Sequence, residues 1–434
     1  MKVLKTEACG KKLTFIETEK FKTELFAVYS ALPYEKNTSR LINLLFAVLK
    51  QGCASYPSQE VINRRLDDLY DTNIATIFSV NGDNVTVGFS IEAVAPAYIP
   101  TGEDALGESV RLLRDILLEP LFDKDGLFLA DIVETEKKIL CDRVRAADNN
   151  PKTRSYNLCC TNMFCGEPYA ERILGTVEEI SLITPKILTD FYWELIKNIS
   201  LNFSYIGRRK KGDIEKIISE NFVGFDKTIY RRQRSIQKEA SGEMRYIEEG
   251  MKVSQGRLTI GFRGVFDLHS KELYSVMLLN EIFGGSPASK LFRHVREEKS
   301  LCYSCSSQCV VSKGAIMVCS GIANENKDIV VEEIIKQLDE IKSGNISEFE
   351  FGAAKKILLN TYLTVNDSEE AIENYYRSRD NMELSATIED TVRGIEAITP
   401  EDVIKIAARF NVDTCAFVRG DLDRGREYEE ADDE

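Results

Sequence analysis

The hydrophobic pattern of the chain occurs twice. In the first copy, the strand-like segment FKTELFAVYSAL is followed by the helical segment TSRLINLLFAVL, a small-residue turn and a second helix, and then by the alternating strands NIATIFSV and NVTVGFSIEA. Apolar residues at every second position favour strands, and apolar residues spaced three and four apart favour helices. The pattern therefore predicts a strand, two helices and a strand pair, in that order.

The second copy has the same order of elements. The segment GRLTIGFRGV precedes the helical segment SKELYSVMLLNEIFGGSPASKLFRHVREE, and the strands LCYSCSSQCVV and AIMVCSGIA follow. After each strand pair comes an amphipathic helix, and the apolar stripes of the two helices consist of Leu106, Val110, Leu113 and Leu117, and of Ile329, Ile334, Leu338 and Ile341. A further helix is expected over about 125–147, before Pro151.

Both copies also end alike. Residues 183–207 and 398–420 each read as a turn, an amphipathic helix and a short strand that stops at a glycine. Thr184 and Thr399 are expected to be N-caps, because each precedes a proline, which the first position of a helix tolerates. Since chance would rarely reproduce this order of elements, the repeat predicts two similar domains.

Helices that alternate with antiparallel hairpins predict an α+β fold, in which helices cover one face of an antiparallel-rich sheet in each domain. The chain of 434 residues is long enough for two to three domains. We predict an N-terminal domain over 1–215, a polar linker over 216–245, a C-terminal domain over 246–420 and an acidic tail over 421–434 with the composition of a disordered segment.

The composition excludes two classes of partner. A formal net charge of −14 argues against nucleic acid, because phosphate binding needs a basic face. The uninterrupted apolar stretches are far shorter than the roughly 18 residues that span a bilayer. Without a charged-then-apolar leader, the chain is expected to be cytoplasmic and to have no membrane partner.

The eleven cysteines have scattered spacings, which are not those of a secreted disulfide framework, and they are expected to be reduced. Cys302, Cys305 and Cys309 could suggest a metal cluster. The segment alternates like a strand, however, so side chains three residues apart are expected to point to opposite faces. This pattern argues against a metal at these cysteines.

The segment FGGSPASKLFRHVREEKSLCYS at 283–304 resembles the C-terminal domain of the M16 (pitrilysin-like, mitochondrial-processing-peptidase-like) family. The resemblance covers nearly the whole chain and implies two tandem domains of the LuxS/MPP-like metallohydrolase fold. In this family an arginine and a later tyrosine bind the peptide backbone opposite a zinc centre. The resemblance implies this substrate-binding role for Arg296 and Tyr303.

The residue types fit such a role, because a guanidinium fork and a phenol are directional donors for peptide carbonyls. Taken alone, Arg296 reads as a solvated residue of a charged helix, and Tyr303 reads as a half-buried strand residue. Their joint occurrence at the family's spacing favours the functional interpretation. Neither donor requires a metal in its own chain.

Three further segments, KFKTELFAVYSALPYE, VLKQGCASYPS and RRLDDLYD, resemble a narrower group within the family. This group is the bacterial subfamily associated with modification of elongation factor P. Its members are typically encoded as unlike pairs. The resemblance therefore implies a partner chain, an M16 homologue with an intact zinc motif.

Active M16 members carry the motif H-x-x-E-H, in which two histidines on one helix face bind zinc and the glutamate activates a water molecule. The alignment places Asn43 and Ala47 at the histidines and Phe46 at the glutamate. The third ligand follows another acidic residue on a later helix; with Glu136 as that residue, the ligand position holds Arg143. These residues do not bind Zn²⁺ at neutral pH. The resemblance implies a degenerate site, no cofactor here, and zinc only in the partner.

The chain has two histidines, His269 and His294. His294 lies in the second half without a second histidine beside it, so a surface or helix-packing role is expected rather than zinc binding.

Three hypotheses about function follow. The first is a non-catalytic subunit of a heterodimeric zinc peptidase of the M16B type, which binds a peptide or unfolded polypeptide substrate. The second is a structural or scaffolding homologue with no role in proteolysis. The third is an autonomous enzyme with another metal or a cysteine nucleophile, which lacks a histidine beside any cysteine in the sequence.

Overall fold

The computed structural model describes residues 1–35, 38–224, 230 and 232–421. The strands of these residues are β1 (Lys2–Ala8), β2 (Lys11–Glu17), β3 (Thr23–Pro33), β4 (Asn73–Asn81), β5 (Asn84–Val94), β6 (Asn202–Gly207), β7 (Arg245–Met251), β8 (Gly256–Arg263), β9 (Cys302–Val310), β10 (Ala315–Ile322) and β11 (Asn411–Gly420).

The α-helices of the described residues are α1 (Thr38–Leu49), α2 (Gln59–Asp68), α3 (Ala105–Leu118), α4 (Ala130–Asn149), α5 (Pro151–Met163), α6 (Val177–Ser181), α7 (Pro185–Asn198), α8 (Lys211–Asn221), α9 (Glu272–Asn280), α10 (Lys327–Lys342), α11 (Glu348–Thr364), α12 (Glu369–Asn381), α13 (Ile388–Glu396) and α14 (Pro400–Ala407). Two π-helical segments, Glu281–Gly285 and Leu291–Glu298, lie between α9 and β9.

The strands form two sheets with related topology. The first sheet has the order β1-β2-β6-β3-β5-β4, and the second has the order β7-β11-β8-β10-β9. Without β1, the two orders match strand for strand. In each sheet one pair is parallel, β2 with β6 and β7 with β11, and the other pairs are antiparallel. The prediction of an α+β fold with two similar antiparallel-rich sheets is confirmed.

The chain divides into two compact units, and each unit contains a segment from the opposite half of the sequence. Unit 1 consists of Met1–Arg145, Glu171–Arg234 and Val365–Glu383, and unit 2 consists of Ala146–Ala170, Ser235–Thr364 and the residues from Leu384 onward. Helix α5 is thus part of unit 2, and helix α12 is part of unit 1. Helix α8 extends to Asn221, into the segment expected to be a linker. Residues 422–434 of the expected acidic tail lie outside the described residues.

These two helices correct the expectation that helices cover a single face of each sheet. In unit 2, helix α5 contacts β8 and β11, and its residues Cys159, Cys160 and Met163 cluster with Ala315 and Met317 of β10. The neighbouring residues Ile316 and Val318 of β10 point to the other face and are also buried. In unit 1, helix α12 contacts β3 and β6. Sequence-distant helices make these contacts, so the local pattern did not reveal them.

The two helix starts predicted from the Thr-Pro repeat are confirmed. The side chain of Thr184 accepts a hydrogen bond from the backbone N–H of Ile187 at the start of α7. Thr399 and Asp402 form a reciprocal capping box at the start of α14. Such caps satisfy backbone donors that the first turn of a helix leaves without partners.

The core of unit 1 lies between its sheet and helices α1, α3, α4 and α7. It includes Phe26, Val28, Ile42, Leu45 and Phe89, all at most 1% exposed. This packing fixes the face of α1 that points inward, and with it the positions aligned with a zinc motif. No helix within the described part of the chain is both long enough and apolar enough to span a membrane.

Candidate functional site

A sharp corner in unit 2 connects a helical segment to the edge of the second sheet. The segment Leu291–Glu298 ends two residues before Ser300, which has a left-handed backbone with φ of 51°. The backbone N–H of Leu301 then donates to the carbonyl of Val295 at 3.1 Å, and β9 begins at the next residue. The reversal brings the last turn of the helix beside the first residues of the strand.

This corner forms an open pocket of about 440 Å³. Its lining residues come from the end of the helical segment, the start of β9 and the turn before α10, and they are Arg296, Glu297, Ser300, Leu301, Cys302, Tyr303, Ala323 and Asn326. The structure therefore brings Arg296 and Tyr303, which were singled out in the sequence, to one pocket.

Arg296 is held by neighbours from its own helix. Its side chain is 41% exposed, and its guanidinium lies over the ring of Phe292 at 4.6 Å. The Nε atom is 3.7 Å from the carboxylate of Glu297, which is beyond a direct hydrogen bond. Stacking on a ring face leaves the N–H groups at the edge of the guanidinium pointing outward, where carbonyl acceptors can approach.

Tyr303 is 53% exposed, and it stands at the open edge of the second sheet. Among the described residues, β9 pairs with β10 alone. Its outward-facing side chains after Tyr303 are polar: Ser304, Ser306 and Gln308. An edge strand with polar side chains offers backbone donors and acceptors to an extended peptide.

The expectation that cysteines three residues apart in this strand face opposite sides was wrong for Cys302 and Cys305. Opposite β9, Ser304 pairs with Gly321 and Cys302 pairs with Ile322, so the register skips Tyr303. This β-bulge turns Tyr303 and Ser304 outward together and leaves both cysteines buried. The sequence argument failed because it assumed a regular strand.

The positions aligned with the zinc motif serve other purposes in unit 1. Asn43 donates its side-chain amide to the carbonyls of Ser39 and Ile173 at 2.9 and 3.0 Å. Phe46, in the place of the catalytic glutamate, is 7% exposed and stacks on Phe89 with ring centres 5.1 Å apart. Ala47, one residue further along α1, has no donor atom in its side chain.

Helix α4 carries the remaining aligned positions. Glu136 is buried and accepts a hydrogen bond from the side-chain amide of Gln51 at 2.8 Å. Burial raises the pKa of Glu136, and the positive charge of Arg143 partly offsets this effect. Arg143 itself is exposed.

These residues do not fit a catalytic zinc ion. Such a site needs three nitrogen, sulfur or oxygen ligands with lone pairs to donate, and a base near its water molecule. The aligned positions provide an amide whose N–H₂ group is already engaged, a phenyl ring, a methyl group and a cation. Within the described ranges, no three His, Cys, Asp or Glu side chains are grouped so that they could hold a metal ion.

His294 has acidic neighbours in unit 2. Its Nδ1 atom is 2.7 Å from a carboxylate oxygen of Glu298, and its Nε2 atom is 3.6 Å from Glu350. Glu350 is buried and also pairs with the buried Lys290 at 3.1 Å. These contacts are those of a helix-packing histidine.

The two units share a fold but differ in the residues at their candidate sites. Two units have the same sheet topology; one has a pocket lined by Arg296 and Tyr303, and the aligned zinc positions of the other do not provide metal ligands.

Comparison with known proteins shows which family the chain resembles. The family described as "Peptidase M16 inactive domain" matches residues 183–358. The chain is 28% identical over 420 residues to "Probable inactive metalloprotease YmfF" of Bacillus subtilis, a match that covers 96% of this chain and 97% of that protein. The chain is thus similar to M16 peptidases over residues 183–358, and over nearly its whole length to a relative described as an inactive metalloprotease.

A second relative carries a different description. "Uncharacterized zinc protease YmfH", also of Bacillus subtilis, is 28% identical over 300 residues, which are 66% of this chain and 68% of that protein. The crystal structure of a conserved protein from Enterococcus faecalis V583 has the same fold, with a TM-score of 0.90, 22% identity and coverage of 97% of this chain and 99% of that one.

Sequence reasoning found Arg296 and Tyr303 but missed that Cys302 and Cys305 lie on the same side of β9. The spacing C-x-x-C at Cys302 and Cys305 was a visible signal. Regular alternation along the strand, however, predicts that these two side chains face opposite sides. Nothing in the local pattern marked Tyr303 as the extra residue of a bulge.

Proposed function

We propose that this chain is the non-catalytic, substrate-binding subunit of a heterodimeric zinc peptidase. Its partner would be an M16 homologue that carries H-x-x-E-H, and its substrate would be a peptide or an unfolded polypeptide. The observation that carries the proposal is the pocket of unit 2, where Arg296 and Tyr303 lie together in a chain whose aligned zinc positions cannot bind the metal.

The chemistry of the pocket supports backbone recognition. A guanidinium and a phenol both donate hydrogen bonds, and peptide carbonyls are acceptors. The open edge of β9 adds donors and acceptors of the main chain, which recognise an extended segment without regard to its side chains. An unfolded polypeptide presents these groups, whereas a folded protein pairs them internally.

The relatives support a pairing of unlike chains. In Bacillus subtilis, one relative of this chain is described as an inactive metalloprotease and another as a zinc protease. An organism that holds both kinds contains the two parts that the proposed heterodimer requires. The association with elongation factor P remains a prediction. Testing the proposed heterodimer by reconstitution does not depend on it.

The test is reconstitution. The chain is mixed with the zinc-motif homologue from the same organism, and cleavage of an unfolded fluorogenic polypeptide is followed. We expect cleavage by the mixture to exceed that of either chain alone. Loss of one hydrogen-bond donor to the backbone of a bound peptide costs about 1 to 3 kcal/mol, a factor of about 5 to 150 in kcat/KM. The variants Arg296→Ala and Tyr303→Phe should therefore reduce turnover by a factor of this order.

Two matched variants provide the controls. Arg293 lies on the same helical segment and also stacks on a ring, that of Phe349, and Tyr246 is an exposed tyrosine of the same unit. Arg293→Ala and Tyr246→Phe should leave turnover within about twofold. If Arg296→Ala and Tyr303→Phe were as active as these controls, the pair would have no role in proteolysis. Failure of the mixture to cleave would instead favour the scaffolding function.

A further inference from the structure

A second open pocket lies further along the same edge strand. Its volume is about 370 Å³. Its lining includes polar residues of β9 and of the start of α5, namely Asn150, Lys152, Thr153, Ser306 and Gln308. The Arg296 pocket opens at the first residues of β9, and this second pocket opens near the end of the strand. The outward-facing polar side chains of β9 connect the two pockets.

The position of α5 on the sheet explains why the second pocket exists. Helix α5 packs on β8 and β11, and β9 is the second strand from β8 in the sheet order. A helix with its side chains is about 10 Å wide and neighbouring strands are about 4.8 Å apart, so one helix covers about two strands. The first turns of α5 therefore form a wall beside the outward face of β9, and the second pocket is the space between them.

Lys152 gives the second pocket a positive charge. None of the lining residues in the described part of the chain is acidic, whereas the Arg296 pocket also contains Glu297. The acidic residues Asp148 and Glu249 pair with Arg154 at 3.6 and 2.7 Å. Residues two apart on a helix do not share a face, so these ion pairs lie away from the side of α5 that carries Lys152. Within the described residues, no ion pair or side-chain hydrogen bond engages the Lys152 ammonium.

Neutral hydrogen-bonding groups surround this charge. Thr153 and Ser306 contribute hydroxyls, and Gln308 contributes a side-chain amide. The side-chain oxygen of Asn150 accepts the backbone N–H groups of Lys152 and Thr153 at 3.0 and 3.1 Å, so these helix donors are satisfied within the protein. The positive charge of the pocket therefore comes from the Lys152 side chain, and the neutral groups can hydrogen-bond an anion beside it.

We propose that the second pocket is a further subsite for the substrate, in which Lys152 binds a carboxylate of an extended peptide. This inference rests on the proposed function, which places the peptide backbone in the Arg296 pocket and along the edge of β9. At about 3.3 Å per residue, the strand advances about 13 Å from Tyr303 to Ser307, so the carboxylate lies about four residues from the carbonyl bound by Arg296. An acidic side chain and a C-terminal carboxylate both present this group.

The experiment measures peptide binding by the full chain alone. The probes are short, unfolded, fluorescein-labelled peptides of serine, threonine and valine, with a central glutamate or glutamine and with a free or an amidated C-terminus. Fluorescence anisotropy gives the Kd of each peptide. The net charge of −14 repels acidic peptides in general, so a preference for a carboxylate requires a local positive site.

The reference is the amidated glutamine peptide, which has neither carboxylate. We expect the amidated glutamate peptide, or the glutamine peptide with a free C-terminus, to bind about fivefold more tightly than this reference, as a partly exposed ion pair allows. The first result identifies an acidic side chain as the bound group, and the second identifies the C-terminal carboxylate. If neither peptide binds more tightly than the reference, the subsite is overturned.

Changes at Lys152 test whether this residue makes the selection. Lys152→Met removes the charge and should abolish the preference without changing the affinity for the reference peptide. Lys152→Glu should reverse it, so that a peptide with a central lysine binds more tightly than the glutamate peptide. The exposed Lys356 of α11 is the matched control, and Lys356→Met should keep the wild-type preference. Circular dichroism checks that each variant is folded. A preference that survives Lys152→Met would overturn the proposal.

The outcome for the subsite is separable from the outcome for the proposed function. Arg296→Ala should weaken the binding of all the peptides by a similar factor and leave the preference for a carboxylate unchanged. A Lys152-dependent preference with binding that is insensitive to Arg296→Ala and Tyr303→Phe would uphold the subsite and overturn the proposed donor pair. Equal affinities for all the peptides, with binding weakened by Arg296→Ala, would overturn the subsite alone. Absence of binding by any of the peptides would overturn both.

Discussion

The two units build the same corner and use it differently. In unit 1, helix α2 leads into the outermost strand β4 through Tyr70 and Asp71, both with left-handed backbones (φ of 64° and 59°). A pocket of about 280 Å³ lies there, lined by residues that include Asp67 and Asp71. In unit 2, Ser300 makes the equivalent turn before the outermost strand β9, and the pocket of about 440 Å³ carries Arg296.

The comparison shows which features a repeated fold requires and which it leaves free. Both corners need a residue in the left-handed region, because the chain must reverse between a helix and an edge strand. The charge of the pocket is not required by this geometry. The lining of the first pocket has two carboxylates and one lysine, whereas that of the second has one guanidinium and one carboxylate. The aligned zinc positions show the same distinction. Phe46 packs in the core of unit 1, but the residues at these positions do not provide metal ligands.

The largest effect on stability is expected at Phe46, a core residue at the position aligned with the glutamate of the zinc motif. Phe46 is buried and stacked on Phe89, so Phe46→Ala should lower the free energy of unfolding by about 3 to 5 kcal/mol. Chemical denaturation of the full chain and of the variant checks this value. The exposed Phe349 is the matched control, and Phe349→Ala should cost about 0.5 kcal/mol or less. Equal effects of the two changes would show that Phe46 is not part of the core.

A buried ionic cluster in unit 2 is expected to be nearly as important. Glu167 pairs with Lys313 at 2.6 Å and with Arg263 at 2.7 Å, and all three side chains are at most 6% exposed. Glu167→Gln leaves two buried cations without their counter-charge, which should cost about 3 kcal/mol. The exposed pair of Glu60 and Arg64 is the control, and Glu60→Gln should cost about 0.5 kcal/mol or less. A loss for Glu167→Gln no larger than this would contradict the cluster's role.

The same carboxylate should make unit 2 sensitive to acid. Burial acts to raise the pKa of Glu167, but the hydrogen bonds and charges of Lys313 and Arg263 outweigh it and lower the pKa below the ordinary value. A group with a depressed pKa contributes stability above its unfolded-state pKa of about 4.3, and this contribution is lost as the pH falls through the folded-state value. The wild type should lose stability below about pH 4 more steeply than Glu167→Gln. Parallel curves from pH 7 to pH 3 would argue against this assignment.

The smallest effect is expected at the position aligned with the third zinc ligand. Arg143 is exposed, so Arg143→Ala should change the free energy of unfolding by about 0.5 kcal/mol or less. Denaturation side by side with Phe46→Ala would sharpen the contrast between two positions that the alignment assigns to one site. A cost above about 2 kcal/mol for Arg143→Ala would mean that the cation has a structural role at this helix.

Much of the fold was accessible from the sequence, because its signals are local. Alternation marked β4, β5, β9 and β10, and the Thr-Pro caps marked the starts of α7 and α14. The exchange of α5 and α12 between the units was not accessible, because it depends on contacts between residues far apart in the chain. The buried contacts of Glu167 with Arg263 and Lys313 were hidden for the same reason.

At the candidate site, the sequence indicated candidate residues more readily than their arrangement. Arg296 and Tyr303 were found through a resemblance, and they do line one pocket. The relation of Cys302 to Cys305 was misjudged, because a bulge of one residue reverses every prediction of facing that rests on a period of two. Such a bulge has no signature of its own in this segment.

The central claim is that the chain has no hydrolytic centre of its own. The most direct measurement is hydrolysis of an unfolded fluorogenic polypeptide by the purified chain alone, supplied with zinc. The account predicts no cleavage above background at any chain concentration. Cleavage that rises in proportion to the chain and that a chelator abolishes would contradict it.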